Sequence, residues 1–489
     1  MSVSPFWAIL LPVCGGGLIA LIKEEKNLLR NSMASLVTIA TFALVAPALL
    51  AVMQGKEYAW TAVRLMHNLS IAFSIEPMGI LFATLASLLW VFATLYATGY
   101  MGHEHHKRRF FTFFTLALSA TMGVAFSANL FTLYLFYEYL ALITYPLVIH
   151  EQSAQAYAAG TKYMIYCFMS GSLVFLSLFV LTGVGPGQLT FTATGLLAPY
   201  VADHRTLLFI MFFVAVLGFG VKAAIMPLHS WLPSAMVAPT PVSALLHAVA
   251  IVKTGVFGIL RIMFYIFGVD ALRDLGVANI LSILLTLSII VASIMAIKQE
   301  KLKARLAYST ISQLGYITLG AAMLSPHGLT GGIVHIINHA LMKIVLFFCA
   351  GAIITETGAT RINQLSGIGK RMPYTMLFFS VASISLIGVL PLVGYVSKFY
   401  LLSGSIEAGK PMLGFVFLLS SVLNGIYYLP IIIRAYFTEG SYSPPEGLES
   451  PPSMFIPTAI LAGLCIIFGL FAHQTTLPLV SRIVTAIFQ

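Results

Sequence analysis

Apolar runs of about twenty residues, separated by short polar connections, follow one another along the whole chain. A run of that length with few charges is what a helix needs to cross a bilayer. Fourteen such spans are predicted, at about 5–22, 31–53, 77–100, 110–126, 129–149, 162–183, 205–226, 241–267, 277–297, 304–323, 328–354, 373–404, 411–436 and 453–472. Segment 227–240 is too short and too rich in proline to span, and reads as the second piece of a broken seventh helix. The expected fold is therefore an all-α, polytopic membrane protein, one membrane domain over 1–489. Spans 1–3 (residues 1–100) are peripheral, and the final span is 453–472. No connection is long enough for a soluble domain.

Composition agrees. The 489 residues are 59% hydrophobic and only 9% charged, against roughly 25% charged in soluble domains. That excludes a soluble enzyme, and it equally excludes disorder. Cys14, Cys167, Cys349 and Cys465 fall in four separate apolar stretches. With no CxxC pair they read as small buried hydrophobes, not as zinc or iron–sulfur ligands. Neither a dinucleotide fingerprint nor a phosphate loop is present, so no cofactor site is expected on this chain.

The net charge of +10 reads as loop charge on one membrane face, not as a nucleic-acid footprint. Connections after odd spans hold Lys23, Lys26, Arg30, Lys107, Arg108, Arg109, Lys298, Lys301, Lys303, Arg305, Arg361, Lys370 and Arg371. Those after even spans hold Lys56, Arg64, Arg205, Arg273 and Lys410. Odd connections are thus expected to face the cytoplasm, and both termini the other side, in a prokaryotic inner membrane. The first residues, Met1 to Pro5, carry no basic cluster, so the first run is read as a retained helix and not as a cleaved signal.

Ionisable groups inside the spans carry the chemistry. Each costs at least about 2.5–3.5 kcal/mol at a helix centre, so such groups face a bundle interior or a hydrated path. Five are charged: Glu138, Lys222, Lys253, Lys343 and Lys398. His247, His335 and His339 share their helices. His335, His339 and Lys343 are spaced by four and should stack on one helix face. His247 and Lys253 are six apart and should contact different neighbours. Pro227 and Pro233 follow Lys222, and Pro391 precedes Lys398. Proline frees backbone carbonyls, which in lipid must find protein or water. Two interruptions at matching places suggest inverted repeats, here 110–267 (spans 4–8) and 277–436 (spans 9–13).

Other features have plainer readings. Lys23 and Lys162 sit at helix ends and snorkel. His229 and Trp231 pack the seventh-span break. The run His103-Glu104-His105-His106 adjoins Lys107-Arg108-Arg109 and reads as a solvated or subunit-contact loop, not as a metal site.

At these residues the chain resembles the antiporter-like membrane subunits shared by respiratory complex I, Mrp-type cation/proton antiporters (the D-type subunit) and membrane-bound group 4 hydrogenases. The matching stretches are FYEYLALITYPLV, GVKAAIMPLHSWLPSAMVAPTPVSALLHAVAIVKTGVFGILR, STISQLGYITLG and HIINHALMKIVLFFCAGAI, covering roughly spans 4 to 12. The resemblance implies fourteen helices with two inverted five-helix repeats and broken helices 7 and 12. It implies a proton relay of Glu138, Lys222, Lys253, His247, His335, His339, Lys343 and Lys398. The family's twelfth-helix position is lysine in some branches and glutamate in others. Lys398 therefore argues against the complex I branch carrying glutamate, and the short C-terminus points to the middle subunits or the Mrp D-type subunit. The implied partners are homologous antiporter-like and small hydrophobic membrane subunits of one complex, lipids, H+, and a peripheral redox arm in the redox-coupled branches. Three functions follow as alternatives: a redox-coupled proton-translocating subunit, a Na+/H+ antiporter subunit without a redox partner, or a non-conducting scaffold. Whether Na+ moves with H+ stays open.

Overall fold

The structure is a computed structural model that describes residues 5–66, 68–440, 442 and 449–489; Met1 to Ser4 of the first-run expectation lie outside them. Helices α1 (Pro5–Leu21) and α2 (Asn27–Met53) are followed by strands β1 (Tyr58–Met66) and β2 (Leu69–Ile75), then by α3 (Pro77–Tyr100), α4 (Lys107–Ala125), α5 (Leu130–Val148) and α6 (Ala154–Val184). The seventh expected span is α7 (Val201–Lys222) with the short α8 (Trp231–Ser234). The eighth is α9 (Thr240–Ala248), α10 (Ile251–Leu260) and a π-helical turn, Arg261–Phe267. Then come α11 (Val269–Leu275), α12 (Val277–Lys298), α13 (Leu302–Ala322), α14 (Pro326–Thr357), α15 (Pro373–Ile387), α16 (Val393–Glu407), α17 (Pro411–Phe437), α18 (Pro452–Leu470), α19 (Ala472–Thr475) and α20 (Leu477–Phe488). Among the described residues, ten helices are long and apolar enough to cross a membrane.

Local sequence sets the helix starts. Asn129, Ser153 and Ser325 accept hydrogen bonds from Thr132 N, Ala156 N and Gly328 N, so each satisfies an orphan donor of the helix it opens. Pro326 and Pro77 occupy first-turn positions, where no backbone donor is needed.

Contacts between connections sort them into two layers. On one face, Arg108 N meets Glu24 and Arg109 donates to His150 O at 2.6 Å. There, too, Lys303 donates to Ala238 O at 2.7 Å, and Leu302 N to Thr360 O at 3.0 Å. On the other, Ser74 N donates to Phe126 O at 2.7 Å, Phe191 N to Ala128 O at 2.9 Å and Leu196 N to Ile266 O at 2.7 Å. Arg205 reaches Asp274 O, and Arg482 reaches Val52 O. In chain order, the connections up to α13 fall alternately in the two groups.

Several features depart from the sequence reading. The connection after α2 is an antiparallel hairpin, with Tyr58 opposite Ile75. Pro233 lies inside α8, so the break is 223–230 with Pro227 in it, and Pro233 does not mark it. The eighth span is also interrupted, at Val249 (φ −144°, ψ −27°) and Ala250 (φ −76°, ψ −95°), with no proline or glycine there. Past the last expected span, α20 buries Val480, Ile483, Val484 and Ile487, one apolar stripe at helical spacing.

Two spans form the centre. The segment Thr240–Phe267 is buried along its full length, and α14 from Gly331 to Ile353. They hold His247, Lys253, His335, His339 and Lys343.

Candidate functional site: a buried polar seam

Lys222 is the last residue of α7, where unpaired helix carbonyls favour a cation. Its Nζ donates to Tyr137 O at 2.6 Å, lies 3.7 Å from Glu138 Oε1 and sits 3.2 Å from the Tyr137 ring centre. The ammonium is fully buried, whereas the Glu138 side chain is 29% exposed. Gly171 makes the room: a Cβ there would fall 2.6 Å from Glu138 Cδ.

Lys253 on α10 and His339 on α14 meet at 2.6 Å, Nζ to Nδ1. This contact joins the two central spans. His335 lies one turn from His339, with ring centres 5.9 Å apart. It is held by Ser397 Oγ at 2.8 Å and Gln313 Oε1 at 3.0 Å. Because that amide oxygen only accepts, His335 Nε2 is the donor in this contact. His247 does not touch Lys253; it packs against Phe347, ring centres 4.7 Å apart.

From Lys343 the seam continues without a gap. Its Nζ donates to Leu306 O, to Ser309 Oγ at 2.8 Å and to Tyr428 OH at 3.0 Å. Ser309 Oγ lies 3.2 Å from Tyr427 OH, and Tyr427 is bonded to Asn424 Oδ1. Asn424 Nδ2 donates to Leu386 O at 3.2 Å, and the same carbonyl accepts from Lys398 Nζ at 2.7 Å. Lys398 also donates to Ile387 O and Ser421 Oγ. Leu386 and Ile387 end α15, so Lys398 does sit on carbonyls freed by its break. Lys222 instead uses a carbonyl of α5.

Elsewhere the seam has orphaned polar atoms. Both ring nitrogens of His247, His339 Nε2, Gln313 Nε2 and Asn338 Oδ1 are buried with no hydrogen-bond partner. Buried groups of this kind are ordinarily satisfied by ordered water. The structure thus gathers Glu138 with Lys222, Lys253 with His339 and His335, and Lys343 with Lys398, and leaves His247 apart. Gln313, Ser309, Asn424, Tyr427 and Tyr428 were not singled out from sequence. The stretch STISQLGYITLG held the signal for two of them, since Ser309 and Gln313 are polar at helical spacing in an apolar context.

The histidine run of the α3–α4 connection serves a different purpose. The His103 side chain lies outside the described residues. His105 O is 3.1 Å from His150 Nε2, and the two rings stack at 5.4 Å. Burial, then the Arg109 charge, push His150 down to about 4, so at neutral pH it donates as a neutral ring. Below the ordinary histidine value near 6.5 the unfolded chain binds the extra proton first, so stability falls as pH drops from about 6.5 toward 4. Thermal melts of the assembled complex should show that loss, and His150→Gln should reduce it.

Comparison with known proteins gives a consistent picture. Residues 127–424 match the family described as NADH:quinone oxidoreductase/Mrp antiporter, and residues 60–111 match the N-terminal region of complex I chain 5. The chain is 33% identical over 426 residues to NADH-quinone oxidoreductase subunit N of Desulforudis audaxviator, covering 83% of each. It is 30% identical over 440 residues to Na(+)/H(+) antiporter subunit A1 of Staphylococcus haemolyticus, covering 84% of this chain and 54% of that one. The chain thus spans about half the length of the antiporter relatives it matches. In fold it is similar to a chain of the Mrp complex from Dietzia sp. DQ12-45-1b, with TM-score 0.88, 21% identity and coverage of 100% and 98%. A chain of an archaeal membrane-bound sulfane sulfur reductase gives 0.87, 23%, 99% and 100%.

Proposed function

The chain belongs to the NADH:quinone oxidoreductase/Mrp antiporter family, and on that premise we propose that its buried seam carries protons at mid-membrane depth. The protein is a proton-translocating, antiporter-like subunit of a multisubunit membrane complex. The relay is Glu138, Lys222, Lys253, His247, His335, His339, Lys343 and Lys398. The observation that carries this is the 2.6 Å contact between Lys253 and His339. It couples an amine of one helical half to an imidazole of the other, both buried.

The architecture is fourteen crossings, with α4 to the π-helical turn and α12 to α17 as two inverted repeats. The basic layer faces the cytoplasm and both termini lie opposite. A carboxylate beside Lys222 favours the charged ammonium; drawing it away releases the proton toward Lys253. Protons then pass by water to His339 and Lys343, and by water from Lys343 to Lys398 along a path lined by Ser309, Tyr427 and Asn424, whose amide and the Leu386 carbonyl position the two lysines and do not carry the proton themselves. Glu138 is a part-exposed carboxylate on a membrane-spanning helix, which lipid does not tolerate cheaply. A neighbouring membrane subunit covers that face.

Similarity to the oxidoreductase subunit over 83% of both lengths favours coupling to a redox partner over the Na+/H+ antiport reading. The test is proton uptake by proteoliposomes of the purified complex, driven by its electron donor. Na+-free buffer should leave the proton yield unchanged. A yield that rises and falls with Na+ supports antiport instead, and a yield unaffected by removal of this subunit leaves only a scaffold.

A further inference from the structure

Arg261 opens the π-helical turn at the end of the eighth span and is fully buried. Its guanidinium sits in an aromatic cage, 4.4 Å from the Tyr265 ring centre, 4.7 Å from Phe191 and 4.9 Å from Phe257. Nη2 is bonded to Glu76 Oε1. Nε and Nη1 have no hydrogen-bond partner. Glu76 in turn caps α3, accepting from Met78 N at 3.0 Å and Gly79 N at 2.6 Å, and its side chain is 15% exposed. The pair therefore stands between the buried helix and the hairpin layer, in the layer that also holds β2.

Its position relative to the seam matters. Lys253, Phe257 and Arg261 are spaced by four, so they share one helix face. Eight residues separate the amine from the guanidinium, about 12 Å along the axis. Between them Phe257 stacks on Phe82, ring centres 4.9 Å apart, both buried. Moving outward from Lys253 along this face, a proton meets an apolar layer and then a cation. An arginine is not deprotonated in proteins, so this cation can neither accept the proton nor step aside electrostatically. An arginine placed along a route is an electrostatic barrier to protons and cations, and the Glu76 carboxylate offsets part of that charge here.

We propose that Arg261 is an electrostatic seal, which closes the direct route from Lys253 to the hairpin-side face and so confines protons to the lateral path. Its partner Glu76 positions the guanidinium but is not itself the barrier. The inference rests on the relay reading above, and the two are separated by different readouts. Loss of driven pumping reports on the relay; passive leak reports on the seal.

The experiment uses the whole complex in proteoliposomes without electron donor, with an imposed pH gradient followed by an internal pH dye. Rates are normalised to assembled complex. Arg261→Gln and Arg261→Met both remove the charge, one leaving a polar and the other an apolar side chain, so that a folding failure of one leaves the other to be measured. Both should dissipate the gradient roughly tenfold faster than wild type, the scale set by one unit charge about 12 Å away in protein dielectric. Glu76→Gln keeps the arginine and should stay tight. Adding Lys253→Met to either charge-removing variant should restore tightness. Tight vesicles with either assembled Arg261 variant overturn the proposal. So does a leak that survives Lys253→Met, which would be a packing defect, and so does an equal leak in Glu76→Gln.

Discussion

Lys253→Met is expected to cut driven proton translocation by the assembled complex at least about tenfold, equivalent to about 1.4 kcal/mol or more on the limiting step. The side chain is buried and its Nζ meets His339 Nδ1, so methionine keeps the volume and removes the only titratable contact between α10 and α14 among the described residues. Stability should not fall with it. A buried ion exchanged for an apolar side chain of similar size is often neutral or stabilising, and His339, then unpaired at both ring nitrogens, offsets part of that gain. Assembly and melting temperature near wild type, with pumping lost, separate a relay role from a structural one. Pumping intact, or lost only together with assembly, contradicts the assignment. His339→Leu should behave in the same way, because it breaks the same contact from the other side.

The second large effect is expected at the Glu138–Lys222 pair. Glu138→Ala and Lys222→Met should each lower pumping about tenfold, and the double variant should lose little more. Groups that act as one switch are strongly non-additive, whereas two independent positions would multiply to about a hundredfold. Gly171→Ala offers a subtler probe. The added Cβ would meet the Glu138 carboxyl at 2.6 Å and must push it from its place beside Lys222. Pumping should fall while both titratable groups remain. Wild-type rates in all three single variants, measured as protons per turnover in vesicles, would remove the pair from the mechanism.

The amines and imidazoles of the seam were legible because the bilayer makes each one costly in an otherwise apolar run. His335, His339 and Lys343 were legible as a face, since four-residue spacing fixes direction on a helix. The twelfth-span break was legible from Pro391. The eighth-span interruption was not: Ala248, Val249 and Ala250 are ordinary helix residues, and tertiary packing sets their dihedrals. The link from Lys343 to Lys398 was hidden for a different reason. Ser309, Tyr427 and Asn424 are uncharged and common in membrane helices, so only their meeting in space marks them. Arg261 was overlooked because it lies near a span end, where a basic residue normally snorkels to water; here aromatic rings and Glu76 enclose it. The hairpin escaped because a search for twenty-residue apolar runs does not detect strands of seven to nine residues.

Imaging of water inside the whole assembly addresses the seam itself. A map of the complex fine enough to resolve ordered solvent should place water on both nitrogens of His247 and on His339 Nε2, with further molecules bridging Lys222 to Lys253. Apolar side chains filling those positions, with no solvent between the two lysines, would contradict proton passage through the centre of this chain.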